Sequence, residues 1–209
     1  MKIGIIGRNW GSIYARTLEK LGVPYWISGR EWDKRADGVI VASPPETHYG
    51  IAKRLLSEGV PIILEKPVTL EPAQAWELVN LGGIAFAGHT RLFSPAWRTF
   101  KASLQSVDSI TAVAGGTLRD PWWDWGPHLA AMCLDLGFDP RKARLRTERV
   151  RIPLSFVVNG EFEYRDVLTD PMPLEVLLSE FLAAIEKGEP NNDGLRLGAE
   201  VVEFLHESR

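Results

Sequence analysis

The sequence predicts an α/β protein in which an abbreviated parallel sheet is followed by a smaller α+β region with a mostly antiparallel open sheet. Up to residue 88, short apolar runs without polar positions alternate with amphipathic segments, as in a parallel sheet covered on both faces. From residue 144 the strands follow one another, and Asn159-Gly160 joins two alternating runs, which is typical of a hairpin. We therefore expect one domain over residues 1–88 and a second over 89–209, with the final helices as candidates for packing back on the first.

The composition excludes several classes of protein. The 209 residues are 45% hydrophobic and 24% charged, with a formal net charge of −3, so the chain has no basic footprint for nucleic acid. No apolar run approaches the ~20 residues of a membrane helix, and the N-terminus lacks a signal-peptide layout. The single cysteine, Cys133, lies in an apolar run and is interpreted as a buried small hydrophobe rather than a nucleophile. We expect a cytoplasmic protein without nucleic-acid or membrane partners, and we assign no residue to a metal site.

The first strand, turn and helix form a candidate anion site. Residues 2–7 predict a buried strand, and a helix follows over about 13–21. The unpaired N–H groups and the dipole of a helix N-terminus both favour an anion at such a turn. The dinucleotide fingerprint G-x-G-x-x-G is not met literally, because the turn between Gly7 and Gly11 is one residue short and Asn9 stands near the middle glycine's place. Asn tolerates left-handed backbone, so the turn is feasible, and a purely structural turn is an equal alternative.

The second strand, residues 24–28, is followed by a candidate ribose-binding position. An acid there binds the 2′-hydroxyl of NAD, whereas an Arg accommodates the 2′-phosphate of NADP. Arg30 with Ser28 therefore favours NADP. Glu31 and Asp33 keep NAD open, and a solvated Arg is the alternative to any cofactor role.

The next strand, residues 38–42, begins after only seven residues, 31–37. Fully extended, these span about 25 Å, and as a helix they would advance only about 10 Å. We infer that the helix, strand and helix of a complete dinucleotide-binding half are missing here. The strand at 24–28 then becomes a sheet edge, and an adenosine bound there would be in contact with few protein groups.

Ser43-Pro44-Pro45 follows that strand, and the two prolines are expected to delay the next helix until Thr47. The helix then covers residues 49–58. His48, at the helix start, is either exposed or close to a ligand at its own strand end.

The run over residues 61–67 predicts a buried strand that stops on Glu65-Lys66-Pro67. Ligands lie beyond the carboxyl ends of the strands in open α/β sheets, so this triplet is a site candidate. Pro67 restricts Lys66 to extended backbone. The alternative, a surface Lys in a strand-to-helix turn, is favoured if the triplet is taken alone.

Residues 118–125 read as a tryptophan-rich loop that opens the next helix. Asp124 is expected near the cap of that helix, and the i,i+4 spacing places it on the same side as His128. A carboxylate near an imidazole fixes its tautomer and raises its basicity, as a general base requires. The alternative is that Asp124 is only a cap and His128 only its neighbour.

The remaining elements are expected at 70–81 (helix), 84–89 (strand), 96–104 (helix capped by Ser94), 109–117, 144–150, 152–158 and 161–167 (strands), and 174–187 and 195–207 (helices).

Four segments in this order resemble the Gfo/Idh/MocA oxidoreductases, the group of glucose–fructose oxidoreductase and inositol dehydrogenase. They are residues 7–11, residues 42–48, Glu65-Lys66-Pro67 and the segment 124–128, Asp-Trp-Gly-Pro-His. The combination of Glu-Lys-Pro after a buried strand with a later Asp-x-x-x-His is specific and outweighs the separate alternatives. The resemblance spans nearly the whole chain but departs from the family in the short glycine turn, the missing segment after Arg30 and a trimmed C-terminal region.

The resemblance implies a Rossmann-like domain that binds NAD(P) and hydride transfer between nicotinamide and a secondary alcohol carbon of a sugar-like or cyclitol-like substrate. Lys66 is similar to the family lysine that contacts the substrate hydroxyl and the nicotinamide ribose. His128 is similar to the acid/base, with Asp124 as its supporting carboxylate. Glu65 would orient Lys66, and Trp122 with Trp123 would form a platform for a sugar face. The residues assigned to the cofactor are Gly7, Asn9, Trp10, Gly11, Ser28, Arg30, Ser43, Pro44, His48 and Glu65.

Two further expectations follow. Family members often associate through the C-terminal sheet, so the resemblance implies a homo-oligomer, a dimer or tetramer. The alternative to an enzyme is a non-catalytic descendant that binds a ligand or a partner, which the loss of the adenosine-side segment favours.

Overall fold

The computed structural model describes residues 1–29, 36–117, 120–167 and 169–208. The chain divides into two compact units. The first consists of Met1–Gly88 with Leu174–Glu203, and the second of His89–Pro173 with Phe204–Arg209. The chain thus leaves the first unit after residue 88 and returns to it at residue 174.

Seven α-helices are assigned in the described part of the chain. In chain order they are α1 Gly11–Lys20, α2 Pro45–Ser57, α3 Pro72–Leu81, α4 Pro95–Ser103, α5 Pro121–Asp135, α6 Pro173–Lys187 and α7 Asp193–Glu207. Among the described residues, no helix combines the length and the apolarity that a membrane span would need.

The first unit is built on a five-stranded parallel sheet. Its strands are β1 Ile3–Ile6, β2 Tyr25–Ser28, β3 Gly38–Val41, β4 Ile62–Leu64 and β5 Ala85–Ala87. They lie in the order β2-β1-β3-β4-β5, and every neighbouring pair is parallel. All residues of β1, β3, β4 and β5 are buried, which is the reason these strands are continuous apolar runs. The predicted α/β class and the parallel sheet are confirmed.

Helices cover both faces of this sheet. On one face, alternate strand residues such as Val41 and Leu64 form a single core with buried side chains of α2, α3 and α7. On the other face, Phe181 of α6 meets the ring of Phe86 edge-on, with centroids 5.7 Å apart. A Cβ at Gly11 would lie 2.8 Å from Cγ2 of Ile5, so a glycine is needed where α1 crosses β1.

β2 is the edge of the sheet in the described part of the chain, as the short stretch before β3 predicted. It pairs only with β1 there, in the register Ile3 to Tyr25 through Ile6 to Ser28. The side chain of Ile27 is 41% exposed, as befits an edge with less cover than the central strands.

The indole of Trp26, on edge strand β2, packs over Gly4 of β1. It lies opposite Gly4 in the β1–β2 ladder. A Cβ at position 4 would approach Trp26 Cε2 to 2.8 Å. The absent side chain at Gly4 is therefore the space that the indole of Trp26 fills.

The second unit contains a four-stranded mixed sheet. Its strands are β6 Ile110–Gly115, β7 Arg144–Glu148, β8 Ile152–Val158 and β9 Phe162–Arg165. The order is β7-β6-β8-β9, with β6 and β7 parallel and the other two pairs antiparallel. Asn159 and Gly160 have φ of 56° and 69°, the left-handed pair that a two-residue hairpin turn requires. The predicted hairpin is confirmed.

One face of this sheet is packed by α4 and α5. Trp97 of α4 is fully buried, with its ring 5.4 Å from that of Phe156 and 5.2 Å from that of Tyr164. Its indole N–H donates to Asp135 at 2.8 Å. Cys133 lies in the same core, where burial raises its pKa to about 12, so its interpretation as a small hydrophobe is confirmed.

α2 begins earlier than predicted. Pro45 is its first residue and Pro44 its N-cap, rather than a start after Thr47. A proline at the first helical position loses no hydrogen bond, because the N–H groups of the first turn have no intrahelical partner. The expectation that both prolines delay the helix was wrong for that reason.

α5 also begins before its predicted start. Asp120 is the N-cap, and its carboxylate accepts the N–H groups of Trp122 and Trp123 at 3.1 and 3.4 Å. The tryptophan segment from 121 onward is therefore helix rather than loop, and the prediction that Asp124 caps it was wrong. Asp124 instead lies in the first turn, where a negative charge interacts favourably with the positive end of the helix dipole.

Replacing Gly4 with Ala tests the packing at the sheet edge. The added Cβ has no space beneath Trp26, so we expect the variant to lose about 1–3 kcal/mol of unfolding free energy. Urea denaturation followed by tryptophan fluorescence measures the loss. Gly50→Ala is the control, since Gly50 lies at an exposed position of α2 with no atom within 4 Å of where a Cβ would stand, and it should be neutral or stabilising. Equal stability of the two variants would contradict this packing.

Candidate active site

The carboxyl ends of the parallel strands open on one edge of the first unit's sheet. The chain leaves β1 at Gly7, β3 at Ala42 and β4 at Glu65. From β1 the order runs to β2 on one side and to β3 on the other, so the sheet has a switch point between β1 and β3. Ligands of open α/β sheets bind in the crevice at such a point. A Cβ at Gly7 would lie 2.6 Å from the Ser43 nitrogen, so the turns after β1 and β3 are in contact at this crevice.

The glycine turn has the form of an anion cradle. Gly7 has φ of +114°, and its N–H donates to the Ser28 carbonyl at 2.9 Å. α1 begins at Gly11 with Trp10 at the N-cap, and no side chain described by the structure caps this helix. Side chains 8–10 are exposed. An uncapped helix start beside a glycine turn leaves N–H groups and the positive dipole end for a phosphate.

The shortened turn does not place Asn9 in the left-handed region. Among the described non-glycine residues, only Asn159 has positive φ. Instead the chain tightens towards helix at once: the Ser12 N–H lies 3.1 Å from the Arg8 carbonyl, and the Ser12 hydroxyl donates to the Asn9 carbonyl at 2.7 Å. Within the turn from Gly7 to Gly11, only Gly7 has a positive φ.

The position after β2 is only partly described. Ser28 ends β2, is half-buried and accepts the Gly7 N–H through its carbonyl. Arg30, on which the preference for NADP rests, lies outside the described residues, as do Glu31 and Asp33.

The turn after β3 is held by local hydrogen bonds. The Thr47 hydroxyl donates to the Pro44 carbonyl at 2.7 Å, and it lies 2.7 Å from the Ser43 hydroxyl. Because the Thr47 proton is already used, Ser43 is the donor of that second bond. The backbone around Ser43 and Pro44 is thus fixed at the crevice before α2 begins.

His48 is buried, with 1% of its surface exposed. It is therefore not at the exposed position that the sequence suggested as one alternative, and it lies between two backbone carbonyls. Its Nδ1 lies 2.9 Å from the Pro67 carbonyl and its Nε2 lies 2.8 Å from the Ser43 carbonyl. The ring therefore ties the turn after β3 to the segment after β4. Burial lowers the pKa of His48, and the two carbonyls offset only part of that effect.

Glu65 is a buried carboxylate at the end of β4. Its Oε1 accepts the Tyr14 hydroxyl at 2.6 Å, and its Oε2 accepts the Lys66 backbone N–H at 2.9 Å. Burial raises the pKa of Glu65, while the Tyr14 hydroxyl and the neighbouring Lys66 lower it in part. Lys66 itself is half-buried and precedes Pro67 through a cis peptide bond. Sequence reasoning identified Glu65 and Lys66 but missed Tyr14, since a tyrosine on an amphipathic helix gives no signal beyond burial.

The two remaining catalytic candidates lie on α5, in the second unit. Asp124 and His128 are one helical turn apart and both half-buried. The rings of Trp125 and His128 have centroids 6.0 Å apart. The guanidinium of Arg91 lies over Trp125 at 5.9 Å and pairs with Asp166, a contact between distant residues that the sequence did not reveal.

Trp122 and Trp123, the predicted sugar platform, lie at the start of α5 rather than in a loop. The ring of Trp122 packs 5.8 Å from Phe204 in the second unit, and its Cδ2 would lie 3.3 Å from a Cβ at Gly126. This arrangement favours a packing role for Trp122. Lys66 thus belongs to the first unit, and Asp124 with His128 to the second.

Part of the chain matches a family model. Residues 2–82 match the family model described as an oxidoreductase family with an NAD-binding Rossmann fold, GFO_IDH_MocA. Inositol 2-dehydrogenase 1 of Saccharopolyspora erythraea is 31% identical over 94 residues, which cover 43% of this chain and 25% of that protein. Inositol 2-dehydrogenase of Renibacterium salmoninarum is 36% identical over 83 residues, covering 39% and 24%. The chain's matches span from 24% to 37% of the length of the curated relatives.

Solved structures share the fold over nearly the whole chain. A crystal structure from Magnetospirillum magnetotacticum MS-1, provisionally described as an oxidoreductase, superposes with a TM-score of 0.83 at 23% identity over 99% of this chain and 98% of that one. GenD2 from gentamicin A biosynthesis, solved in complex with NAD, has a TM-score of 0.77 at 13% identity over 99% and 92%. At these identities the likeness establishes the fold.

Replacing His48 with Gln tests the tie between the two turns. Neutral His48 has one N–H and donates to only one of the two carbonyls, while its ring fills the buried space between them. Glutamine lacks that ring, so we expect a loss of about 1–3 kcal/mol of unfolding free energy at pH 7.5, measured by urea denaturation. The folded-state pKa of His48 is lowered, so its contribution to stability is complete above the ordinary value near 6.5 and is lost as pH falls towards the folded value. The variant should therefore lose less stability than the native protein between pH 7.5 and 5.

The control is His206→Gln, at an exposed position near the end of α7. It should retain both the native stability at pH 7.5 and the native pH slope. If His48→Gln matched this control in both respects, the assigned role of His48 would be wrong.

Proposed function

We propose that this protein binds a nicotinamide dinucleotide at the switch point of its five-stranded sheet and transfers a hydride between the nicotinamide and a secondary alcohol or ketone carbon of a sugar-like or small hydroxy substrate. The observation that carries the proposal is Glu65-Lys66-Pro67 at the carboxyl end of β4, in a chain whose residues 2–82 match the oxidoreductase family. Curated relatives named as inositol 2-dehydrogenases support a cyclitol-like or sugar-like substrate.

The residues at the crevice fit the cofactor. Gly7 permits the turns after β1 and β3 to lie against each other, because a side chain there would collide with the Ala42 backbone. The uncapped start of α1 offers N–H groups to the pyrophosphate, with Asn9, Trp10 and Gly11 around it. Ser43 and Pro44, fixed by Thr47, would border the nicotinamide half, while buried His48 would hold their backbone rather than touch the cofactor. When bound, the dinucleotide would supply the hydride acceptor or donor.

The chemical roles divide between Lys66 and His128. A lysine with its ordinary pKa of ~10.4 is a poor base at neutral pH, whereas histidine titrates in the useful range. We therefore assign the substrate hydroxyl proton to His128 and the orientation of that hydroxyl and of the nicotinamide ribose to Lys66. Asp124, one turn before His128, would stabilise its protonated form.

The preference between NAD and NADP is a finer part of the proposal. Arg30 with Ser28 supports NADP by the chemistry of the 2′-phosphate. The family model is described as NAD-binding, and GenD2 was solved with NAD, so NAD is the competing outcome.

We also propose a cytoplasmic homo-oligomer, a dimer or tetramer. The second unit's sheet supports it, since Val113 and Val157 lie only half-buried on the face opposite its helices.

A second candidate function is a non-catalytic ligand-binding or partner-binding role. It is favoured by one observation, the edge position of β2, since an adenosine there has no neighbouring strand among the described residues. In that case Lys66 and His128 would be dispensable for the protein's biological activity.

Cofactor titration separates the two functions. We expect NADPH or NADH, added at up to millimolar concentration, to raise the melting temperature and to show a change in nicotinamide fluorescence, because a ligand bound only by the native state stabilises it. The tighter of the two dinucleotides identifies the preference. Absence of any thermal or fluorescence response to both would contradict the proposed cofactor site.

Replacing the catalytic candidates tests hydride transfer. With myo-inositol and D-glucose as probe substrates, we expect kcat to fall by about 10²–10⁴-fold in His128→Ala, as for loss of a general base. A fall of about 10²-fold or more is expected in Lys66→Ala, from loss of electrostatic stabilisation. Absorbance at the reduced nicotinamide band reports turnover. Matched controls are His206→Ala and Lys142→Ala, both exposed, which should retain native rates. Native turnover in the Lys66 and His128 variants would reject the assigned roles.

A further inference from the structure

Tyr14 and Glu65 form a buried pair across the first unit. Tyr14 lies on the inner face of α1 with 1% of its surface exposed, and Glu65 is 9% exposed at the end of β4. The phenol oxygen is 2.6 Å from Oε1 of the carboxylate. The second carboxylate oxygen accepts the backbone N–H of Lys66 at 2.9 Å. Each oxygen of the carboxylate therefore has one donor, and together the two donors fix its plane.

The carboxylate has little room to move. A Cβ at Gly88, at the end of β5, would lie 2.9 Å from Cδ of Glu65 and 3.0 Å from its Oε1. The β5 backbone thus closes the side of the carboxylate, and only a residue without a side chain fits there. If the Tyr14 hydroxyl were removed, Glu65 could not rotate towards a replacement donor on that side.

Among the described residues, the titratable groups that act on Glu65 are Tyr14 from α1 and Lys66 on its own segment. Gly88, which follows β5, brings none, and His48 of α2 reaches the same segment through the Pro67 carbonyl. Burial raises the pKa of Tyr14 well above its usual value, and Glu65 adds to the rise, so the phenol remains a donor at neutral pH. A buried carboxylate that loses a donor becomes easier to protonate.

We infer that Tyr14 is a positioning residue, whose hydroxyl holds the Glu65 carboxylate against the Lys66 backbone N–H and thereby fixes the segment that presents the Lys66 side chain. This rests on the proposed function, in which Lys66 orients the substrate hydroxyl and the nicotinamide ribose. Tyr14 lies one turn into α1, whose first residue, Gly11, closes the proposed pyrophosphate turn. The helix that receives the cofactor's phosphates therefore also sets the place of the lysine.

Tyr14→Phe tests the inference with little disturbance of packing, because it keeps the ring and removes one oxygen. We expect ¹³C NMR of the labelled glutamate carboxylates to show the Glu65 resonance titrating about one pH unit or more higher than in the native protein. Glu65→Gln assigns that resonance. Tyr25→Phe is the matched control, since Tyr25 donates to Glu19 in a similar pair at the exposed edge strand and its loss should leave Glu65 unchanged.

The kinetic test uses the pH profile. In Tyr14→Phe, the pH below which kcat declines should rise together with the Glu65 titration, with the KM for the dinucleotide changed less than about twofold. In a Glu65→Gln background, Tyr14→Phe should produce no additional pH dependence, because the titrating group is gone.

An unchanged Glu65 titration in Tyr14→Phe would overturn the inference, whatever happens to the rate. So would a loss of kcat that is equal at every pH and persists in the Glu65→Gln background, since that is the result of a merely structural role. The NMR titration needs no turnover. If the native protein transferred no hydride, the proposed function would fail while the titration would still decide the role of Tyr14.

Discussion

The burial of a carboxylate at the end of a parallel strand is the constraint on which the candidate site depends. Glu65 is taken out of water by the same close packing that makes the sheet stable, and a buried carboxylate is costly unless donors satisfy it. The donors are the Tyr14 hydroxyl and the next peptide N–H, at 2.6 and 2.9 Å. Their presence requires α1 to lie close to the sheet, which the small residue Gly11 permits. The fold and the presentation of Lys66 are thus consequences of one arrangement.

The crevice at the carboxyl edge is fixed mainly by backbone. The turn after β1 depends on Gly7 at φ of +114°, and the turn after β3 is held through the carbonyls of Ser43 and Pro44. His48 joins that turn to the segment after β4 without itself facing the crevice. Such a site is stiff, because its walls are held by bonds within the protein rather than by mobile side chains. A stiff turn would suit the proposed dinucleotide, which must be held in one orientation while a hydride moves.

Most of the strands could be predicted from the sequence. A short run such as 61–64 is apolar at every position, which is typical of a strand buried on both faces of a parallel sheet. The Asn159-Gly160 hairpin and the edge position of β2 could be predicted as well, because turn chemistry and chain length are local properties. The predicted starts of α2 and α5 are too late, since Pro45 and Pro121 suggest a helix breaker or a loop although each occupies a first helical position. The Tyr14–Glu65 bond joins residues 51 apart, so no local pattern carries it. His48 is buried against the Pro67 carbonyl, 19 residues further along the chain, and this contact forms only when the chain folds.

A crystal structure of the protein soaked with the preferred reduced dinucleotide tests the central claim most directly. The account predicts pyrophosphate density against the backbone N–H groups at the start of α1, between Gly7 and Gly11, and a nicotinamide ring beside the Lys66 ammonium. Dinucleotide density elsewhere on the protein, or a nicotinamide that lies out of reach of Lys66, would contradict it.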